Sequence, residues 1–350
     1  MYASYSIVNP LTLVRVTRRL PRQGSVLVRP GDAVEPTQIV AQTTDLPDFR
    51  IVDVAQELDV PVKKVSAYLK VKRGDTVSEG DVLAARVGIG RRACRAPISG
   101  TIVGSGRGRL LIEGEDVVIR LNALVPGYVV DAWPDEGVVI ETAGGHIQGV
   151  WGNGQEAYGV LRLLVRSPRH PIRSKHINAS SQGAILIGGS TIDQDAIEEA
   201  VEMQVRGIIV GSVPPALIPR LQEVSFPVIA TECVGAMPMS EAVFDLLKSW
   251  DGRDAALSGQ LGGRWRAERP YIVVPMPTGA AKPVDTEKPL EVGDRVRILR
   301  GRYQTRSGVV VEKPRGTVEL ETGARMAGVL VDIGEEDEVP IPYENLERLL

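Results

Sequence analysis

"GDTVSEGDVLAARVGIGRRACRAPISGTI", Gly74–Ile102, decides how the amino-terminal half of this chain is read. Gly74-Asp75 makes a tight turn, and the apolar positions that alternate after it face a shared core. An earlier stretch has the same form. "VLVRPGDAVEPTQIVA" (Val26–Ala41) matches "LKVKRGDTVSEGDVLA" (Leu69–Ala84) at one fixed offset. In both, a strand is followed by Gly-Asp-x-Val and then by an apolar pair with Ala. Short alternating runs at Ser25–Val28, Val65–Val71, Val117–Leu121 and Gly137–Glu141, broken by Gly, Pro and Asp, extend this β reading over residues 1–165.

The opening stretch resembles the biotinyl/lipoyl-like barrel-sandwich hybrid family: Gly-Asp-x-Val-x-x-Gly-x-x-Leu, then Ala-Pro-x-x-Gly-x-Ile. In carrier members, the modified lysine sits at the tip of the hairpin between these halves. The carrier spacing, counted back from Ala96-Pro97, puts Ile89 there, between Gly88 and Gly90. Isoleucine has no amine to acylate, and no lysine occurs between Lys72 and Lys175. The resemblance therefore implies the fold without its cofactor, as in hybrid modules of membrane-fusion proteins, electron-transport subunits and RNA polymerase. "GIGRRA" (Gly88–Ala93) spells a dinucleotide-binding motif, but Ala96-Pro97 and Gly100 halt the helix that such a motif needs.

Downstream the pattern changes. "RLLVRSPRHPIRSKH" (Arg162–His176) is basic, holds two prolines and reads as an exposed linker. Apolar runs then alternate with amphipathic helices: "AILIGGS" (Ala184–Ser190), "DQDAIEEAVEMQV", "GIIVGS" (Gly207–Ser212), "PPALIPRLQEV", "PVIAT" (Pro227–Thr231), "MSEAVFDLLKSW" and "YIVVPMP" (Tyr271–Pro277). This order predicts a small parallel α/β domain over residues 180–278. Ligands of such sheets bind beyond the carboxyl ends of the strands. Those ends carry Gly188, Gly189, Ser190 and Thr191, then Gly211-Ser212 and Thr231-Glu232-Cys233. Glycines, hydroxyls and a helix start suit a small-molecule anion, whereas Ser190, Thr191 and Asp193 are equally ordinary helix caps. Cys233 would need a nearby base to act as a nucleophile, and no histidine follows His176.

After a proline-rich linker (Pro275–Leu290), "VGDRVRILRGRYQTRSGVVVE" (Val292–Glu312) resembles the KOW motif of NusG and a ribosomal-protein family. Gly293-Asp294, Val296, Ile298, Gly301, Tyr303 and Gly308-Val309-Val310 fall at the family spacing. Val339, Ile341, Tyr343 and Leu346 fit its return half. The resemblance implies a five-stranded SH3-like barrel over residues 291–350. Alternation points Val296 and Ile298 inward and Arg295 and Arg297 outward. In the family, the loop after the first strand meets RNA or a protein, which singles out Arg297, Arg300, Arg302, Tyr303 and Arg306 as the partner-binding set. The carboxylates of "GEEDE" (Gly334–Glu338) favour protein over RNA.

The whole chain of 350 residues, with net charge −3, two cysteines and three histidines, has no global drive toward nucleic acid and no disulfide or zinc framework. No apolar run nears the roughly 18 residues of a membrane span, and the start lacks the order of an export signal, so a cytoplasmic protein without membrane contact is expected. The fold class expected is multidomain β plus α/β: a barrel-sandwich hybrid, a small parallel α/β domain and a KOW-type SH3-like barrel. The function expected is non-catalytic docking of a protein partner. An RNA-associated KOW protein and an enzyme or sensor with an anion site in the α/β domain are the alternatives.

Overall fold

In the computed structural model, the described residues are 4–45, 47–86, 92–262, 268–276, 281–285, 288–320, 322–334 and 338–350. Ile89 with its flanking glycines, Arg91, and Glu335, Glu336 and Asp337 lie outside them. The described chain is β-rich and falls into several sheets.

The largest sheet has eleven strands among the described residues, and it joins regions that the sequence separates. Its parallel part consists of Glu156–Leu163, Ala184–Ile187, Gly207–Val213 and Val228–Val234, in that order. Asp254–Ser258 runs antiparallel beside Glu156–Leu163, then Tyr271–Pro275, then Gly137–Gln148, which also pairs with the long amino-terminal strand Val8–Arg19. Two expectations change here. The fourth parallel strand is Glu156–Leu163, not Tyr271–Pro275. The supposed linker at 162–176 begins inside a strand and buries Ile172 completely, so no sheet boundary falls between 165 and 180.

Period-two alternation explains the two layers around this sheet. Ala184 and Leu186 face one side, where helices Gln194–Glu202 and Ile218–Glu223 bring Ala196, Ile197, Ala200 and Leu221. Ile185 and Ile187 face the other, where helix Glu241–Ser249 packs Val243, Phe244 and Leu247. The helices cover both faces of the strands, which is why the strands read as unbroken apolar runs.

Residues 47–86 and 92–114 form a satellite with its own core of Val52, Leu58, Leu83, Cys94, Ala96, Ile102 and Ile112. Its sheets are Phe49–Asp53, Arg109–Gly114, Gly100–Gly106 and Thr76–Val77, plus the hairpin Val82–Arg86 with Arg92–Arg95. Within the stretch expected as strand at 65–71, a 3₁₀ turn occupies Val62–Ala67. Pro61 leads into it, and only Val65 there is buried.

The Gly-Asp repeat resolves into one local device used four times. Gly31, Gly74, Gly80 and Gly293 have φ of 94°, 93°, 89° and 92°, a region that glycine enters without steric cost. The aspartate that follows each accepts a hydrogen bond from the backbone N–H three residues back: Asp32 from Arg29, Asp75 from Lys72, Asp81 from Ser78 and Asp294 from Glu291, each at 2.8 Å.

The carboxy-terminal unit is a half-barrel of antiparallel strands Arg295–Ile298, Ser307–Glu312, Arg325–Asp332 and Val339–Pro342, closed by the 3₁₀ turn Tyr343–Asn345 and strand Leu346–Leu349. Val296, Ile298, Val310, Val329, Val331 and Leu346 fill it. Strand Ser4–Ser6 adds in parallel to Leu346–Leu349, so the chain's first strand covers what would be an open edge. Among the described residues no helix is long and apolar enough to cross a membrane.

Candidate binding sites

At the carboxyl ends of the parallel strands, the backbone donors expected to hold an anion are used within the protein. Gly188 N–H donates to Ile209 O at 2.8 Å, and Gly189 and Ser190 N–H donate to His170 O at 3.2 and 3.1 Å. The glycines serve close approach instead. A Cβ on Gly189 would lie 2.4 Å from Ser167 O, and one on Gly188 would lie 2.6 Å from Ile172 Cγ1. The basic segment after Leu163 therefore plugs the position where a ligand would sit. Thr191 stays half-buried, and Asp193 caps the next helix by accepting from Ala196 N–H at 2.9 Å. Burial, and next the charge of Glu232, push the Cys233 thiol up, which opposes the thiolate a nucleophile needs.

Glu232, on the neighbouring strand end, holds the half-barrel. Arg297 donates to Glu232 Oε2 at 2.6 Å and, through Nε, to Glu347 Oε2 at 3.1 Å. All three side chains are 3–4% exposed. Arg269 bridges to the other oxygen of Glu347 at 3.1 Å, and Glu232 Oε1 accepts from Ser240 N–H at 3.0 Å. Alternation did place Arg297 on the outer surface of its own sheet, but that surface is covered by the α/β layer. Arg297 is an internal clamp and is not presented to a partner.

The rest of the expected partner set stays at the surface. Arg300, Arg302 and Arg306 are exposed, Tyr303 is half-buried, and the Arg302 guanidinium lies 5.5 Å from the Tyr303 ring centroid. The loop that carries them touches residues 235–239, where Gln304 Nε2 meets Met237 Sδ at 3.5 Å. Met239 N–H in turn donates to Pro168 O at 3.2 Å. The basic segment with exposed Arg166, Arg169, Arg173 and Lys175 thus packs against the same short loop. Folding brings together two basic stretches that lie over a hundred residues apart in sequence.

A further polar site escapes the sequence reading. Gln148, Tyr271, Ser258 and Glu156 are direct cross-strand partners on four adjacent strands, and so form one row on one face of the sheet. Arg18 closes the row with a two-pronged ion pair to Glu156, both contacts at 2.7 Å, and its Nε donates to Asn122 O at 2.8 Å. Ser258 Oγ donates to Glu156 Oε1 at 3.0 Å. Burial pushes the Tyr271 hydroxyl up to about 12 and pulls His146 down to about 4, so both are neutral near pH 7. His146 meets Tyr271 edge-on with ring centroids 6.1 Å apart. These side chains line a cavity of about 210 Å³. One sequence signal pointed here. Thr12, Val14, Val16 and Arg18 share the inward parity of their strand, and an inward arginine requires a buried partner. The partner, 138 positions away, has no local signature.

Among the described residues no group of three or more His, Cys, Asp or Glu side chains is arranged to hold a metal ion. Compared with known proteins, the chain matches no family model and no curated sequence.

Proposed function

We propose that this chain is a non-catalytic binding protein that docks an acidic protein partner on a basic face. Arg300, Arg302 and Arg306 of a KOW-type barrel loop supply half of that face, and Arg166, Arg169, Arg173 and Lys175 supply the rest. The observation that carries this reading is the shared contact of both stretches with loop 235–239. Clamping by Arg297 adds to it. A loop fixed relative to a second basic surface loses little freedom on binding, which favours affinity. A barrel-sandwich hybrid without a carrier lysine completes the reading as a second docking module.

The test is an RNase-treated pull-down from native lysate with the full chain, an Arg300→Ala/Arg302→Ala variant and an Arg166→Ala/Arg173→Ala variant. A partner retained by the wild type and lost from both variants is the expected result. If only RNA is retained, with affinity falling by about 0.7 log units per phosphate contact for each decade of salt, the protein-docking reading fails and the RNA reading replaces it.

A further inference from the structure

Strand Phe49–Asp53 of the satellite is the outermost strand of its sheet among the described residues, with its partner Arg109–Gly114 on one side only. Just before it, Gly114 N–H donates to Asp48 O at 2.7 Å. The backbone groups of Asp48, Arg50 and Val52 therefore turn toward that partner, and alternation turns the N–H and C=O groups of Phe49 and Ile51 toward the open edge. Open edges are a template for pairing with another chain, and most proteins cover or blunt them. This one is apolar where it is most exposed: Phe49 is 50% and Ile51 70% accessible, on the same face of the strand. Its charges are balanced. Asp48 and Arg50 flank Phe49 with opposite signs, pair with each other at 2.9 Å, and are both more than half exposed.

We propose that this edge pairs antiparallel with the same edge of a second copy of the chain, about a two-fold axis through Phe49. Charge complementarity selects both the occupant and the register. A two-fold through Phe49 sets Asp48 of one copy against Arg50 of the other, twice. These are non-hydrogen-bonded positions, where facing side chains approach most closely. An axis through Arg50 would oppose two like charges, and one through Ile51 would set Arg50 against Val52. In the Phe49 register the two Phe49 residues exchange both backbone hydrogen bonds, and Ile51 N–H meets the C=O of Pro47 on the other copy. Pro47 has no N–H to continue the ladder, and a two-fold contact uses the edge of both copies, so association stops at two. The contact shares no residue with the basic face, so it stands or falls independently of the docking function proposed above.

A contact of so few residues is weak, with a Kd on the order of 10–100 µM. Sedimentation equilibrium of the full chain across that range should show the mass rising from one chain toward two. Arg50→Asp and Asp48→Arg each oppose like charges and should weaken self-association at least about tenfold. Mixed together, those two variants should associate as the wild type does, and Asp48→Arg/Arg50→Asp, which restores complementarity, should self-associate again. Both positions are exposed, so the melting temperatures should not change. Phe49→Cys treated with diamide should give a disulfide-linked dimer, because facing Cα atoms at a hydrogen-bonded position lie about 5.5 Å apart. Ile51→Cys, with its copies about 14 Å apart in this register, should not. A chain that stays monomeric throughout, leaving the edge to a strand of some other protein, would overturn the proposal. So would single charge variants that associate like the wild type, or Ile51→Cys that cross-links as readily as Phe49→Cys.

Discussion

Asp75 and His146 show how single side chains set local terms in this protein. Asp75 holds its turn through Lys72 N–H, and replacing it by Ala removes one charge-assisted bond while leaving the glycine in place. The expected loss is about 1 kcal/mol, read as a shift in the denaturation midpoint with unchanged slope. Gly74→Ala, with φ of 93°, should cost about as much again through backbone strain. His146 is lowered to about 4 in the folded protein by burial. The unfolded chain therefore binds a proton that the folded chain refuses between about pH 6.5 and pH 4, and stability must fall as pH drops through that window. An NMR titration should find the His146 ring still neutral at pH 5. Protonation near pH 6.5 would contradict the buried placement of the ring.

At the scale of elements, the turn 188–190 and the loop 299–306 are opposites. The turn is packed: Gly189→Val would drive a side chain into Ser167 O and His170 O and displace the basic segment. Overpacking of this kind costs about 1–3 kcal/mol, and phosphate or nucleotides should restore nothing, because the turn's N–H groups are already committed to protein carbonyls. Thermal shift with and without phosphate decides this, and a phosphate-dependent rise that Gly189→Val abolishes would revive the anion site. The loop is exposed. Arg300→Ala/Arg302→Ala should change stability by no more than about 0.5 kcal/mol, so any loss of partner binding in that variant reports on the surface itself.

Across the whole molecule, Arg297 is the connection that matters most. Removing it leaves Glu232 and Glu347 buried at 3–4% exposure with one cation fewer between them. Truncating one partner of a buried ion pair costs about 3–5 kcal/mol, so Arg297→Ala should lower the melting temperature far more than any other arginine change considered above. Calorimetry should also show the wild type unfolding in one transition and Arg297→Ala in two, as the half-barrel uncouples from the α/β layer. The parallel pairing of Ser4–Ser6 with Leu346–Leu349 would remain as a tether. A single transition in the variant, with little loss of stability, would show that the clamp is not what joins the two parts.

Short-range spacing dictates the local devices: four Gly-Asp turns, alternating strands that bury one face, helices whose apolar stripe meets a sheet, and a capping Asp193. Each depends on residues within a few positions of one another, where spacing alone dictates the geometry. Where those pieces meet depends on long-range packing. Strand Glu156–Leu163 sits where the parallel and antiparallel parts of one sheet meet, because its partners Ala184–Ile187 and Asp254–Ser258 are remote in the chain. Arg297 was legible as facing away from its own core, yet what covers that surface is Glu232, from another element. The row of Gln148, Tyr271, Ser258 and Glu156 exists only through register between four strands. Pairing register is set by hydrophobic faces and turns distributed over the whole chain, so no short stretch contains it.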